Sequence, residues 1–507
     1  MNNNAPFKLP IQNLYDGLAL NPEAIAAEDS RESITYSELV ARVEALALAL
    51  QSQLSSGSHI GLCAQNHIDH LVAHLAIIAG GFVWVPINPK NGATLNKQLI
   101  EKSRLSLLLL DNASIDKVDC QTIDTRILRD TSTTGEDCQN WIARYRGASF
   151  TPAQARGSDT FGIKFTGGTT GEPKGVVQTH DNVAAVIDNM QTQFEFRSSD
   201  CNLAIAPLTH GGSHYILPIL AVGGRHLLLP SPDTLVIKDA FAHRGASVSF
   251  MPPTLIYKLL DEPNIGPADF PSLRHLTYSA APMPPERIAQ AIETLGPHLS
   301  TVYGQTEAPM TITAMSAEHM RIPELQASVG RACRHSEVAI LNASGQPVAT
   351  GTIGEVAARG DIIMAGYFEA PEKNRDAFHN GWLLTGDLGY LDDKGFLFLK
   401  GRSKEMIISG GFNVYPAEVE NALMELAEVK ECAVFGVEDD YWGERVEAAI
   451  CLCEGNSIDP AAIRQQVKSL LGEVKTPKAI HFLEALPRNP VGKVVRRDVK
   501  SLIQSTC

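Results

Sequence analysis

The chain has 507 residues, 44% of them hydrophobic, and a formal net charge of −14. That length predicts two or three domains with large cores, and the acidic balance excludes nucleic acid or an anionic membrane as the main partner. Any anionic ligand then has to be held by local basic groups. Of the nine cysteines only Cys451 and Cys453 are close together, and an odd count without paired spacing suits reduced thiols in a cytoplasmic protein. The opening Met1-Asn2-Asn3-Asn4-Ala5-Pro6 lacks the basic and apolar stretches of a signal segment. No apolar run reaches the roughly 18 residues of a membrane span, and Ser505-Thr506-Cys507 is not a peroxisomal address.

Thr35-Tyr36-Ser37-Glu38 has the form of a capping box, and Leu39, Val43, Leu46 and Leu50 follow on one helical face. A strand at His59-Ile60-Gly61-Leu62-Cys63, a helix over 68–79 and a strand at Phe82-Val83-Trp84-Val85-Pro86 come next. Leu107 to Leu110 is an unbroken apolar run, the pattern of a parallel strand buried on both faces. Residues 112–158 read as polar and irregular. Phe161, Ile163 and Phe165 alternate with Gly162 and Lys164 as in a half-exposed strand, and Thr179-His180-Asp181-Asn182 marks a helix start. A second round of strands runs through residues 202–207, 225–229, 246–250 and 273–279, with helices between. From about Gly330 short strands and turns replace this texture, at 337–341, 354–359, 383–384 and 396–400. Beyond Arg402 a segment of domain size has its own βαβ-like pattern, with strands at 433–437 and 448–453. The chain therefore reads as α/β. Residues 1–401 form a large N-terminal domain of two doubly wound α/β subdomains plus a small β-rich subdomain, and residues 402–507 a small α+β C-terminal domain.

Residues 165–175, Phe165-Thr166-Gly167-Gly168-Thr169-Thr170-Gly171-Glu172-Pro173-Lys174-Gly175, hold four glycines and three threonines in eleven positions. With so little bulk the backbone can turn left-handed and its amides can converge on an anion. The three hydroxyls and Lys174 add donors suited to phosphate. A bare Gly/Thr run is equally a surface linker, and the G-x-x-x-x-G-K-[ST] pattern is absent. Its buried-looking flanks and its Pro-Lys-Gly ending favour a phosphate grip. Ser279-Ala280-Ala281-Pro282, taken alone, is an ordinary turn after a strand. Tyr303-Gly304-Gln305-Thr306-Glu307 gathers an aromatic face, a hydroxyl and a carboxylate, although a lone Glu is more often a solvated turn residue. Thr385-Gly386-Asp387 ends a strand on a carboxylate of the kind that accepts from two ribose hydroxyls, and Asp in a turn is itself commonplace. Lys493, in the loop Pro487-Arg488-Asn489-Pro490-Val491-Gly492-Lys493, is in isolation a solvated surface charge.

Taken together these runs resemble the acyl-adenylate-forming, AMP-binding superfamily, which includes acyl-CoA synthetases, peptide-synthetase adenylation domains and firefly luciferase. The resemblance spans nearly the whole chain; the family's loop usually has Ser where Gly167 stands, so one hydroxyl is missing here. It implies an acyl-CoA synthetase of the fatty-acid or aryl-acid type. A carboxylate and ATP would give acyl-AMP and pyrophosphate, and CoA would then take the acyl group and release AMP. ATP, Mg²⁺ and CoA are the implied cofactors and a small carboxylic acid the partner, with a homodimer left open.

The resemblance also distributes roles. Thr166, Gly167, Gly168, Thr169, Thr170, Gly171 and Lys174 would hold phosphates, and Ala280, Ala281 and Pro282 would border the adenine. Tyr303 would stack on that base, with Gly304, Gln305 and Thr306 beside it and Thr306 at the α-phosphate. Asp387 and Arg402 would hold the ribose. Glu307 would hold Mg²⁺, for which one carboxylate suffices when phosphate shares the ion. Lys493 would bridge the acid and the α-phosphate, a placed ammonium where charge develops; Thr166, Glu307 and His210 complete the catalytic set. Lys404 stands at the family's hinge, about which the C-terminal domain would be mobile. Gly410 and Gly411 resemble the glycine-bearing segment beside the pantetheine tunnel. Trp442 stands where relatives stack the CoA nucleotide and is equally a packing residue. His210, Gly211, Gly212, Ser213, Ala280, Ala281 and Pro309 would line the acyl pocket. No Asp of the amino-acid-activating kind occurs in that wall, and its small residues admit an aromatic or medium-length acyl group. His210 is equally a hydrogen-bonded turn histidine. An acyl-AMP ligase that loads a carrier protein and a non-catalytic binding paralogue are the alternatives. The presence of Lys493, Glu307 and Asp387 argues against the second.

Overall fold

The computed structural model describes residues 6–118, 123–129, 137–166, 173–439, 441–489 and 492–506. Leu107–Leu110 and Val83–Pro86 are buried along their whole length, as strands covered by helices on both faces must be. They belong to a sheet ordered Gly366–Tyr367, Lys174–Thr179, Thr160–Thr166, Val83–Pro86, His59–Cys63, Leu107–Leu110 and Thr125–Ile127. Its five strands from Thr160–Thr166 onward run parallel, and the first two are antiparallel additions at one edge. A second sheet has parallel strands Leu299–Tyr303, His275–Tyr278, Val248–Met251, Cys201–Ala204, Arg225–Leu228 and Ile25–Glu28 at its centre. Antiparallel strands close both of its edges.

Two α/β sheets are thus present as the alternation of strand and helix predicts, but their membership does not follow chain order. Ile25–Glu28, from the first round, joins the second sheet, and Lys174–Thr179 turns back to extend the first. The helix Ile68–Ala79 is buried on every side, including His70 and His74, because it lies between layers rather than on a surface. The described part of segment 112–158 holds more secondary structure than its polarity suggests. Cys138, Trp141 and Ile142 bury one face of the helix Cys138–Tyr145 against the main core, a short apolar stripe hidden among polar neighbours.

Glu337–Leu341, Gly354–Arg359, Trp382–Leu391 and Leu397–Arg402 pair antiparallel in a third sheet, the expected β-rich subdomain. A fourth sheet follows Arg402, built from Ile407–Ser409, Phe412–Val414, Val429–Asp439, Gly443–Leu452 and Ala479–Phe482. It has its own core of Ile407, Val419, Val434, Val446, Ile450, Ile463 and Val467. No helix among the described residues is long and apolar enough to cross a membrane.

Candidate active site

Thr160–Thr166 and Lys174–Thr179 form an antiparallel pair in which Thr166 faces Lys174. The glycine-rich run therefore leaves and returns at one sheet end. Gly167, Gly168, Thr169, Thr170 and Gly171 lie outside the described residues. After the return strand, Thr179 caps the helix His180–Phe194 with a reciprocal box to Asn182. At Thr35 only half of such a box forms, because the Glu38 carboxylate turns to Arg42 at 2.6 Å instead. Lys174 Nζ sits 4.9 Å from the centroid of the Tyr367 ring, and the Tyr367 hydroxyl donates to Glu307 Oε1 at 2.8 Å. Tyr367 thereby links the loop's lysine to the candidate metal carboxylate. Nothing in its sequence setting singles it out; only the pairing of Gly366–Tyr367 with the return strand brings it there.

The second group centres on Asp387. Its Oδ2 accepts the Tyr303 hydroxyl at 2.6 Å and Gln305 Nε2 at 2.8 Å, and its Oδ1 accepts Arg402 Nε at 2.7 Å. The register of Trp382–Leu391 with Leu397–Arg402 sets Asp387 opposite Arg402. A carboxylate offers about four acceptor positions, so a diol that donates twice must displace one of these donors. Arg402, whose side chain is 41% exposed, is the one free to give way. Tyr303 is buried, and burial with the neighbouring Asp387 charge holds its hydroxyl protonated well above the ordinary tyrosine range. Gly304 is required here, since a Cβ would stand 2.5 Å from the Met310 amide nitrogen. Thr306 is pinned through its carbonyl by Gln178 Nε2 at 2.9 Å. Ala280, at the end of the strand His275–Tyr278, has φ of +74°, a left-handed conformation that costs a residue with a Cβ about 1–2 kcal/mol. Ala281 is half-buried beside it and Pro282 exposed.

Lys493 reaches this same group. Its backbone amide donates to Asn489 Oδ1 at 2.8 Å, and Gly492, with φ of +87°, lies so near the large domain that a Cβ there would stand 3.3 Å from Thr254 Oγ1. The ammonium keeps contact with solvent but lies in a crevice. Desolvation there, with the Arg402 charge second, lowers its pKa against the opposing pull of Glu405 and Asp387.

The proposed acyl wall is less open than its small residues suggest. A Cβ on Gly211 would meet the Phe250 ring at 2.6 Å, and one on Gly212 the Ala206 carbonyl oxygen at 2.5 Å. The space beside these glycines is filled by protein, and Gly211→Trp would have to displace Phe250 before it could shorten any acyl group. Pro309 and Ser213 are buried, and Ser213 Oγ donates to the His210 carbonyl at 2.8 Å. His210 Nδ1 lies 3.0 Å from Thr209 Oγ1. Desolvation and the Lys164 charge push its imidazole pKa down. Behind this wall Lys164 is buried, its Nζ 3.2 Å from His214 Nε2 and 5.1 Å from the centroid of the Trp84 ring. Burial pulls its pKa from 10.5 to about 7. A base with a lowered folded pKa binds fewer protons folded than unfolded between those values. Stability therefore rises with pH through that window, and the full penalty applies below it. Lys164→Met should raise stability at pH 6.5 by on the order of 2–4 kcal/mol, after allowance for the lost His214 hydrogen bond, and the gain should vanish toward pH 10.5. Urea unfolding at the two pH values measures this, and an equal effect at both would show that the lysine is not penalised by burial.

The chain matches the AMP-binding enzyme family over residues 16–368 and the AMP-binding enzyme C-terminal domain over residues 418–493. It belongs to the AMP-binding enzymes. It is 30% identical to the medium/long-chain-fatty-acid–CoA ligase FadD8 of Mycobacterium tuberculosis, across 88% of this chain and 81% of that one. It is also 30% identical to the indoleacetate–CoA ligase of Aromatoleum aromaticum, across 96% of each. Among solved structures, the amide bond synthetase McbA from Marinactinospora thermotolerans superimposes with a TM-score of 0.89 at 28% identity, covering 97% of this chain and 99% of that one.

The remaining candidates of this AMP-binding enzyme lie in the C-terminal sheet. Gly410 and Gly411, with φ of +57° and +80°, form the two-residue turn between Ile407–Ser409 and Phe412–Val414, a geometry only glycine and a few polar residues enter readily. The Gly410 amide donates to the Trp442 carbonyl at 2.8 Å. Trp442 is half-buried, with Lys478 Nζ 4.4 Å from its ring centroid and Tyr441 edge-on. Lys404 is exposed in the short turn Ser403–Glu405, just after Gly401 at φ of +134°.

Proposed function

We propose that this AMP-binding enzyme is an AMP-forming acid–CoA ligase, with its domain boundary at Arg402. The observation that carries the reading is the convergence on Asp387. Tyr303, Gln305 and Arg402 all donate to it, and Lys493, from the far end of the chain, feels its charge. A fixed carboxylate beside a placed ammonium suits a ribose diol next to a reacting phosphate. The curated relatives described above, one acting on fatty acids and one on indoleacetate, support CoA as the acceptor.

A carboxylate is a poor electrophile, because its charge repels nucleophiles and oxide is a poor leaving group. Attack of its oxygen on the α-phosphorus of ATP expels pyrophosphate and leaves a mixed anhydride. The thiol of CoA then adds to that carbonyl and AMP departs. Lys493 would neutralise the α-phosphate and acid oxygens as charge shifts between them. Asp387 and Arg402 would orient the ribose, Thr166 and Lys174 the departing phosphates. His210, held neutral, can close the acid site without adding charge.

The family implies Mg²⁺, and the residues fit it modestly. Glu307 offers one carboxylate, with Oε1 engaged by Tyr367, and no cluster of three or more ligating side chains exists among the described residues. That matches an ion carried mainly by phosphate and water. When bound, Mg²⁺ would screen the phosphate charges, and Glu307 would anchor it.

Pyrophosphate release across a panel of fatty and aromatic acids, with CoA, with no acceptor, and with an amine in place of CoA, tests this reading. A CoA-dependent thioester is the expected product. Amide product alone would align the enzyme with McbA, acyl-AMP that CoA cannot consume would point to a carrier-protein acceptor, and no pyrophosphate with any acid would leave a binding paralogue.

A further inference from the structure

The pocket behind the acyl wall is built in a way that an apolar tail does not explain. It is narrow and is lined by Lys164, His74, Trp84, Gln178, Ser213 and His214 among apolar side chains. His214 Nδ1 lies 3.2 Å from the Gly211 carbonyl and must carry the proton there, so Nε2 is the acceptor for Lys164. That uses one of the three protons on the lysine ammonium. No carboxylate pairs with Lys164 among the described residues, and burial alone accounts for its shifted pKa. Trp84 Nε1, His74 Nδ1 and Gln178 Oε1 are buried without a hydrogen-bond partner. A buried ammonium paired only with a neutral imidazole and a buried indole N–H without an acceptor carry a desolvation penalty that natural cores avoid.

We propose that this pocket is the far end of the acid site and receives a second acidic group of the substrate, so that the enzyme selects dicarboxylic acids over monocarboxylic ones. The inference rests on the ligase reading for the chemistry at the other end. A distal carboxylate there accepts from Lys164 and from Trp84 Nε1, and the remaining ammonium proton serves Gln178 Oε1. The pocket adjoins the acid site through Ser213, which belongs to both. Lys164 also lies on the face of Thr160–Thr166 that carries Thr166, one two-residue step or about 6.6 Å back along the strand. An acid whose near end meets the α-phosphate at the wall of His210 to Ser213 would run its far end toward Lys164 past Ser213. A methyl-terminated acid of the same length would cover the ammonium and the indole N–H without pairing either, and the selection arises from that unpaired state as much as from the new ion pair.

Matched pairs of acids test it: straight-chain dicarboxylates of increasing length, aryl diacids, and the corresponding monoacids, hydroxy acids and amides. Binding is read by thermal shift, independent of turnover, and activation by pyrophosphate release. The expected result is diacid binding at least about 30-fold tighter than that of the matched monoacid. Lys164→Met should abolish or reverse that preference. Trp84→Phe, which keeps the ring and removes only the N–H, should weaken diacid binding while monoacid binding holds or improves. Diacid binding that depends on Lys164 but gives no pyrophosphate would sustain the pocket assignment and overturn the ligase reading instead. Preference for monoacids or hydroxy acids, failure of any diacid to bind, or a diacid preference that survives both substitutions would each overturn the proposal.

Discussion

Lys493→Ala should abolish acyl-AMP formation, with a loss of about 10²–10³-fold in kcat, the usual effect of removing one preorganised charge from a transition state. The side chain lies where such a charge is useful, in a crevice that lowers its pKa and among Arg402, Glu405 and Asp387. Thioester formation from supplied acyl-AMP and CoA should be largely spared, because the acid and phosphate are already joined in that substrate. The loop itself should survive the substitution. It is held by the Asn489 side chain and the Arg488 guanidinium on the Gly492 carbonyl, neither of which needs the lysine ammonium. The two half-reactions have to be assayed separately, since the overall rate falls in either case. An equal slowing of both would mean that Lys493 supports the fold of the site rather than the charge in adenylation.

The fold was legible in the sequence where periodicity and burial agree. Leu107 to Leu110 and the Val83 strand announce buried parallel strands because an apolar run has no other stable place. Sheet membership was not legible. Ile25–Glu28 and Lys174–Thr179 are short, and their pairing is fixed by tertiary packing, so chain order misassigns them. Lys174-Gly175-Val176-Val177 was hidden for a second reason. Read as the tail of a phosphate loop, these residues look like turn material, yet Val177 packs with Ile163 on one face of the hairpin while Val176 joins the core on the other, and the two carry the chain back along the sheet. The helix Cys138–Tyr145 was missed because three buried residues in eight are too few to show against a polar background.

The site divides in the same way. Tyr303, Asp387 and Arg402 stand in recognisable runs, and the structure brings them into one hydrogen-bonded group. Tyr367 and Lys164 had no signal of their own. Each matters through a partner distant in sequence, Glu307 for one and His214 for the other. A lysine on an apolar strand reads as a solvent-facing residue of a half-exposed face. Only the layer formed by His74 and Trp84 shows that this face is buried. The glycines at 211 and 212 carry the opposite lesson, since small residues mark space in a sequence but in this fold that space holds Phe250 and backbone.

Lys404→Pro should give the complementary result to Lys493→Ala: acyl-AMP formation within a few-fold of the native enzyme, and thioester formation lowered by at least about tenfold. Lys493 and the Gly410–Gly411 turn belong to the same small domain but are proposed for different half-reactions, so one arrangement of the domains cannot serve both. In the observed arrangement Lys493 lies within reach of the charges of Arg402, Glu405 and Asp387, the pose proposed for adenylation. A second pose requires the chain between Arg402 and Met406 to change its backbone angles, as hinges do over a few element-terminal residues. Lys404 lies in the first turn of Ser403–Glu405, with its side chain in solvent. An amide in a first helical turn lacks an intrahelical acceptor, so proline's missing N–H costs little there. Its fixed φ near −65° suits that turn and opposes departure from it. The substitution therefore favours the pose already seen, with no contact removed from either site. Thermal unfolding of the variant should match the native enzyme, which separates a locked pivot from a damaged domain. Rapid thioester formation from supplied acyl-AMP by Lys404→Pro would place the pivot elsewhere, and the neighbouring Gly401, at φ of +134°, is the next position at which a side chain would constrain the turn.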